Sequence, residues 1–316
     1  MKILILVDHC ISSPPISLEN CKNRFQLYAY MLYKYIKDDS VLFRNLNIHN
    51  DDIINQNIDH MIIIGEKAYK PEYKKNIKGI VVTLNISNIT YQGEDILFYM
   101  DNCCNNRNNT TILNWLNDPE ELYPIKDDKI NVIIQKPNKE CQLYEKIINT
   151  MTKVKNKHHN IKLGILSNNY YKDLSSNSIT ILDNYKTRFD IIKRTNVYII
   201  TSDMFDRELL YNFAFCNTLI VSNDIFINPK ILNDIDCIFY ENEISWKNII
   251  NGLKHVNSRH RLMEYKTATN AITKMTQFLE PFDDTETTEI ENDIIIHKIK
   301  RTKCLTLLQS DLRLLR

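Results

Sequence analysis

Lys126-Asp127-Asp128-Lys129 followed by Ile130-Asn131-Val132-Ile133-Ile134 joins a charged, turn-prone tetrapeptide to a short apolar run. Such a run, bounded by turn signals, is the pattern of a strand buried on both faces of a parallel sheet. Lys2–Val7 has the same character at the amino terminus. The chain therefore opens in the same way twice, which predicts two α/β lobes.

Upstream of Ile130 the pattern alternates. After Lys2–Val7, the stretch Asn20–Ile36 places Phe25, Leu27, Tyr28, Met31, Leu32 and Tyr35 at helical spacing. Val41–Leu46, His60–Ile64, Gly79–Leu84 and Ile96–Met100 read as further strands. Parallel strands joined by helices need right-handed crossovers, so the expected product is an open sheet covered on both sides. Asn105–Asn109 is Asn-rich, and Asn117-Asp118-Pro119 and Tyr123-Pro124 form a polar, Pro-punctuated passage. That passage is the expected interdomain connection.

Downstream the alternation restarts. Strands are expected at Ile130–Ile134, Ile161–Ser167, Ser178–Leu182, Val197–Thr201, Thr218–Val221 and Asp236–Tyr240. Helices are expected at Glu140–Val154, Thr187–Arg194, Arg207–Phe215, Trp246–Leu253 and Arg259–Phe278. An acidic stretch, Asp283 to Glu289, reads as a linker, and Ile294–Arg316 as a tail that docks back or binds a partner. The expected domains are 1–125, 126–280 and a terminal 281–316 extension.

Size and composition agree with this plan. A chain of 316 residues exceeds what one core usually organises, since single cores stop growing at roughly 250–300 residues. A formal net charge of +1 gives no global field toward nucleic acid or anionic membrane. Only 5 glycines are present, and neither a P-loop nor a G-x-G-x-x-G fingerprint occurs. The heavy use of Ile, Asn and Lys reads as the codon bias of an AT-rich genome, viral or microbial. The 8 cysteines show no C-x-x-C, and no His/Cys spacing suggests zinc, so free thiols and no metal are expected. No apolar run reaches about 18 residues, which points to a chain without a membrane span, expected in the cytoplasm (the host's, if viral).

Tyr198 to Leu253 carries a resemblance. The run Asn212-Phe213-Ala214-Phe215-Cys216-Asn217-Thr218-Leu219-Ile220-Val221-Ser222-Asn223 resembles the helix–turn–strand Glu-Ala-Met-Ala-Cys-Gly-Thr-Pro of retaining GT-B glycosyltransferases. Cys237-Ile238-Phe239-Tyr240 and the helix Trp246–Leu253 follow in the order that family shows. Asn212 stands where the family has a ribose-binding Glu, and Asn217 where it has Gly. Asparagine tolerates left-handed backbone, so the turn is expected to survive. Ile96-Leu97-Phe98-Tyr99-Met100-Asp101 is similar to the strand ending in Asp of phage DNA β-glucosyltransferase, an inverting member of the same fold.

The resemblance implies two Rossmann-like domains facing across a cleft, and transfer of a sugar from a UDP- or GDP-sugar to an acceptor hydroxyl of unknown identity. No obligatory metal is implied. Lys136 and Lys139 follow the Ile130 strand, where they can reach a diphosphate; Arg188 and Lys186 are weaker candidates. Ser202 and Asp203 follow a buried strand and can cap the next helix, presenting amides to the diphosphate. Asn212 would meet the ribose, and Thr218 belongs to the same kernel. An inverting reaction needs a general base, for which Asp101 comes first and Asp8 and His9 next. The same residues have plain readings as solvated lysines, helix caps and turn residues. Two other functions stay open: a GT-B-like binding or structural protein that has lost catalysis, which the Asn212 position favours, and a glucosyltransferase acting on modified DNA bases, which the neutral charge disfavours.

Overall fold

The computed structural model describes residues 2–7, 17–36, 41–45, 57–65, 77, 81–85, 96–99, 110–112, 117–125, 127–139, 141–202, 207–223, 226, 235–241, 243–263, 267 and 272. Two compact units emerge: one includes Met1–Ile16 and Arg24–Asn114, the other Ser17–Asn23 and Trp115–Ala268.

The first unit is built on β1 (Ile3–Val7), α1 (Arg24–Tyr35), β2 (Val41–Asn45), β3 (His60–Gly65), β4 (Val81–Asn85), β5 (Ile96–Tyr99) and β6 (Thr110–Ile112). Its strands form one parallel sheet in the order β2-β1-β3-β4-β5-β6. All five β1 residues are buried, as a central strand covered on both faces requires. Alternate side chains separate the faces: Leu4 and Leu6 join Met61, Ile63, Ile58 and Ile77 in one cluster. Helix α1 packs on β1 and β3 and buries Phe25, Tyr28, Met31 and Leu32.

The second unit contains a short 3-10 helix at Leu18–Asn20, then β7 (Ile130–Gln135), α2 (Gln142–Lys157), β8 (Ile161–Leu166), β9 (Tyr170–Asp173), β10 (Ile179–Ile181), α3 (Tyr185–Lys193), β11 (Val197–Ile199), α4 (Arg207–Phe215), β12 (Leu219–Asn223), β13 (Cys237–Tyr240), α5 (Trp246–Leu253) and α6 (Ser258–Met263). The sheet order is β10-β9-β8-β7-β11-β12-β13. From β8 to β13 all neighbours are parallel; β9 and β10 add an antiparallel hairpin at one edge.

Period-two alternation again assigns the faces. Val132, Ile134, Val197, Ile199, Leu219 and Val221 meet Tyr144, Ile147 and Met151 of α2 and Ile249 of α5. On the opposite face Tyr198 stacks on Phe213 of α4, with ring centroids 4.2 Å apart. Helices therefore cover both faces. Asn184 caps α3 by accepting from the Thr187 amide at 2.9 Å.

Most expected elements lie within a few residues of their positions. The differences are physical. Strand β9 falls on Tyr170-Tyr171-Lys172-Asp173, a polar stretch with no apolar run to reveal it; cross-strand pairing with β8 makes it a strand. Strand β6 lies just beyond the Asn-rich run and has only three residues. Of the long helix expected at Arg259–Phe278, the described part is α6, Ser258–Met263. The tail 281–316 lies outside the described residues.

Scarce glycine is replaced by asparagine where the chain needs left-handed backbone: Asn57, Asn177 and Asn217 have φ of 50°, 55° and 56°. Asn217 is the expected substitute at the end of α4. Gly164, by contrast, is required for space. A Cβ there would clash with the hydroxyl end of the Tyr171 ring, which lies over it from the neighbouring strand. Gly164→Ala should cost about 1–3 kcal/mol through displacement of that ring. Urea unfolding checks this, and Gly164→Ala combined with Tyr171→Ala should lose less than the sum of the two single changes.

The polar passage expected as a connection is bound into the second unit. Asp118 closes a turn by accepting from the Leu122 amide at 2.7 Å, and Leu122 is fully buried. Arg259 donates to the carbonyls of Leu122 at 2.5 Å, Phe215 at 3.0 Å and Pro119 at 3.4 Å, with its guanidinium over the Phe215 ring. Lys193, 5% exposed, pairs with Asp190 at 3.1 Å and lies over Tyr123, while its carbonyl accepts from Ile125.

Asp236, just before β13, anchors α6. Its carboxylate accepts from the Asn257 amide at 2.6 Å, Ser258 Oγ at 2.9 Å and Arg261 at 2.8 Å. Burial alone would raise this carboxyl; the Arg261, Asn257 and Ser258 hydrogen bonds outweigh it and hold the pKa below its ordinary value. A lowered carboxylate stabilises the fold above the unfolded pKa of about 3.9 and loses that contribution as pH falls through the folded value. Asp236→Ala should therefore cost about 1–2 kcal/mol at pH 7. The gap from the parent protein should close as acid unfolding proceeds below about pH 4. A gap that is constant from neutral pH into acid would contradict the assignment.

Candidate functional site

The order β8-β7-β11 in the second sheet reverses direction at β7. From β7 the chain crosses to β8 on one side, then returns to β11 on the other. Loops leaving β7 and β11 diverge there, and open parallel sheets bind ligands outside the carboxyl ends of such strands.

Polar residues gather at this point. Gln135 ends β7, and Thr201 follows β11; both are buried. Thr201 Oγ1 donates to the Gln135 carbonyl at 2.8 Å, and the Thr201 amide donates to Gln135 Oε1 at 3.2 Å. These bonds tie the two strand ends together and fix where the loops diverge. Lys136 comes next. Its amide is held by the Leu166 carbonyl at 2.7 Å and its Nζ donates to the Tyr170 hydroxyl at 3.2 Å. The lysine therefore stands over the carboxyl end of the sheet, partly shielded from water. Lys139, three positions on, is exposed.

A cavity of about 400 Å³ lies at the carboxyl end of the neighbouring strand β8. Its polar wall is Asn138 from the β7 loop, Ser167, Asn168 and Asn169 from the β8 loop, and Arg188 from α3. Leu166, Ile191 and Leu209 give it aliphatic surface. No carboxylate occurs among its described lining residues. A pocket of this size with aliphatic walls and a few convergent polar groups fits a small organic ligand.

The remaining expected residues separate. Ser202 is half-buried directly after Thr201, at the same strand end. Asn212 is 4% exposed and lies five residues into α4, about 7.5 Å along the helix axis from its start. Thr218 stands at the opposite, amino-terminal edge of the sheet; it is fully buried and its hydroxyl donates to the Thr195 carbonyl at 2.9 Å. That bond ties the approaches to β11 and β12 and faces no pocket residue. Asp203, Asp8, His9 and Asp101 lie outside the described residues.

Several residues of the site went unread in the sequence. Glu208 is 5% exposed in the first turn of α4, one turn before Asn212 and on the same helix face. The i, i+4 spacing was the available signal for it. Ser167, Asn168 and Asn169 follow an apolar strand directly, the position at which a parallel sheet presents side chains to a ligand. Tyr170 packs beside Lys136, and Tyr171 lies over Gly164. His158 and His159 are exposed at the end of α2. Among the described residues no cluster of His, Cys, Asp or Glu could hold a metal ion, and no helix is long and apolar enough to cross a membrane. Cys141, Cys216 and Cys237 are thiols outside any disulfide; burial pushes Cys21, Cys216 and Cys237 up to about 12.

No protein-family model matches the sequence, and no curated protein matches it. Solved structures do. The chain is similar to AviGT4, a glycosyltransferase involved in avilamycin A biosynthesis, at 7% identity over 88% of this chain and 96% of that one, with a TM-score of 0.52. It is also similar to the glycosyltransferase of kitacinnamycin at 7% identity, over 88% and 98% of the two chains, with a TM-score of 0.45. A UDP-GlcNAc 2-epimerase from Neisseria meningitidis, solved with UDP-GlcNAc, is 10% identical over 88% and 99%, with a TM-score of 0.45. The fold is that of the GT-B glycosyltransferases.

Proposed function

We propose that the protein is a glycosyltransferase that moves a sugar from a nucleotide-sugar donor, a UDP- or GDP-sugar, to an acceptor hydroxyl. The donor belongs to residues 126–280 and the acceptor to 1–125, as in a two-lobed GT-B enzyme. The observation that carries the reading is the reversal of strand order at β7, in a chain whose fold runs the length of a known glycosyltransferase.

The chemistry follows from the residues at that strand end. Breaking the bond between sugar and nucleotide leaves charge on the departing diphosphate. A cation already in place stabilises that charge without reorganising water. Lys136 is the candidate for this role, held at the strand end by its own amide and by Tyr170. Ser202 is a candidate for a further donor at the same strand end. Glu208 and Asn212, on one face of α4, are candidates for the ribose hydroxyls, a carboxylate and an amide where the family uses carboxylates. The acceptor's base would come from the amino-terminal lobe, with Asp101, Asp8 and His9 proposed in that order. Thr218 has no part in this scheme.

Calorimetry on the full chain with UDP, GDP and their sugar conjugates tests the proposal. One nucleotide family should bind in the micromolar range, and turnover should release the free nucleoside diphosphate when the acceptor is supplied. If no member of either family binds at millimolar concentration, the donor reading falls.

A further inference from the structure

Arg188 differs from the three other arginines whose side chains are described in the second unit, Arg194, Arg259 and Arg261. Arg194 pairs with Asp127 at 3.2 Å, Arg261 with Asp236 at 2.8 Å, and Arg259 is engaged by three carbonyls. The Arg188 side chain has a single hydrogen bond, from Nη2 to the Asn168 carbonyl at 3.2 Å, and its guanidinium lies 5.5 Å from the Tyr185 ring centroid. Its Nε is buried without an acceptor. No described carboxylate pairs with it, although Asp190 is only two positions away; that aspartate engages Lys186 and Lys193 instead.

A guanidinium presents five donors in a fixed planar fork. Here one donor is used within the protein. The stem leaves the helix, the guanidinium lies near the Tyr185 ring and one edge is held by Asn168. Most of the fork's bonding capacity is therefore unused, in the wall of a 400 Å³ cavity with no carboxylate among its described lining residues. The neighbours that could complete a shell for an anion are neutral donors: the side-chain amides of Asn138, Asn168 and Asn169 and the Ser167 hydroxyl. A partly desolvated cation in such surroundings favours a ligand that brings the missing negative charge.

We infer that this cavity is an oxoanion pocket, in which Arg188 holds the phosphate or carboxylate end of the ligand while the aliphatic wall packs its carbon skeleton. The inference deepens the donor reading and rests on it for the identity of the rest of the ligand. Arg188 is then a second cation of the donor site, on a different element from Lys136. It selects for an anionic group: a phosphate of the nucleotide, or a carboxylate on an acidic sugar.

The two sources and the two readings separate in one set of titrations. The full-length protein, Arg188→Met and Arg188→Lys are titrated by calorimetry with inorganic pyrophosphate, glucuronate, uridine, UDP, UDP-glucose and UDP-glucuronate. Arg188→Met should weaken at least one of the anionic ligands 10-fold or more and leave uridine unchanged. Arg188→Lys should recover part of the loss, since a point charge replaces a fork. Loss for pyrophosphate and all UDP ligands assigns the pocket to phosphate; loss confined to glucuronate and UDP-glucuronate assigns it to a carboxylate. If Arg188→Met does not fold, the comparison of Arg188→Lys with the parent protein decides, with a several-fold weakening expected. Anions that bind the variants as well as the parent, or that fail to bind the parent at all, overturn the inference. Arg188-dependent binding of pyrophosphate or glucuronate without any nucleotide binding would leave the inference standing and remove the donor reading.

Discussion

Replacing Arg259 by methionine is expected to destabilise the second unit by about 3 kcal/mol. The guanidinium is the only described group that reaches the carbonyls of Pro119, Leu122 and Phe215 together. Methionine refills the space of the stem and can still pack on Phe215, so the change isolates the loss of hydrogen bonds. Three acceptors in a partly buried place then compete for water that has little access. A carbonyl stripped of its partner costs roughly 1–3 kcal/mol, and partial solvation brings the sum toward the lower end. For a domain of 150–250 residues each kcal/mol moves Tm by about 2–4 °C, so a fall of roughly 6–12 °C is expected. Arg259→Lys, which can reach one or two of the three carbonyls, should lie between. Thermal unfolding followed by circular dichroism measures this, and a shift under about 2 °C would show that water replaces the side chain without loss.

The second large effect concerns activity. Lys136→Met should lower kcat/KM for the donor by on the order of 100-fold, about 2.7 kcal/mol, if the lysine meets charge that develops on the diphosphate. The loss should fall mainly on kcat, because charge on the leaving group is greater in the transition state than in the bound donor. Lys136→Arg should restore part of it. Tyr170→Phe removes the hydroxyl that holds Nζ but keeps the cation, so a decline of a few-fold is expected. An effect confined to KM would make Lys136 a binding group only. Unchanged kinetics in Lys136→Met would move the phosphate site elsewhere.

The architecture was legible because buried strands in parallel sheets are written as unbroken apolar runs. Ile3–Val7, Ile130–Gln135, Val197–Ile199 and Leu219–Asn223 could hardly be anything else. The hairpin β9–β10 was half hidden: Tyr170–Asp173 has neither alternation nor an apolar run, and its strand character comes from partners distant in sequence. For the candidate site the sequence offers positions after strands and leaves their geometry to the fold. Lys136 and Ser202 could be proposed by the rule that loops after strands meet ligands, whereas Arg188 lies inside α3. Thr218 was carried by a motif alone, and its hydrogen bond to Thr195 shows a residue used to join strands at the other edge of the sheet. Glu208 was passed over because the motif drew attention to Asn212, one turn further along. Arg188 could not be ranked above Lys186 from sequence, since what distinguishes them is how many carboxylates remain for each after folding.

The segment Ser17–Asn23 belongs with the second unit although the chain between it and Trp115 builds the first. Its Cys21 carbonyl accepts from the Tyr185 amide at 2.8 Å, and Cys21 itself is buried. On a ribosome working at about 5–20 residues per second, Cys21 therefore waits roughly 10–30 s for its partner to be made. During that wait its thiol, shielded once the contact forms, is open to oxidants and to other nascent chains. The assembly order thus has a vulnerable interval that neither lobe's own stability can shorten, and the speed of translation sets how long it lasts.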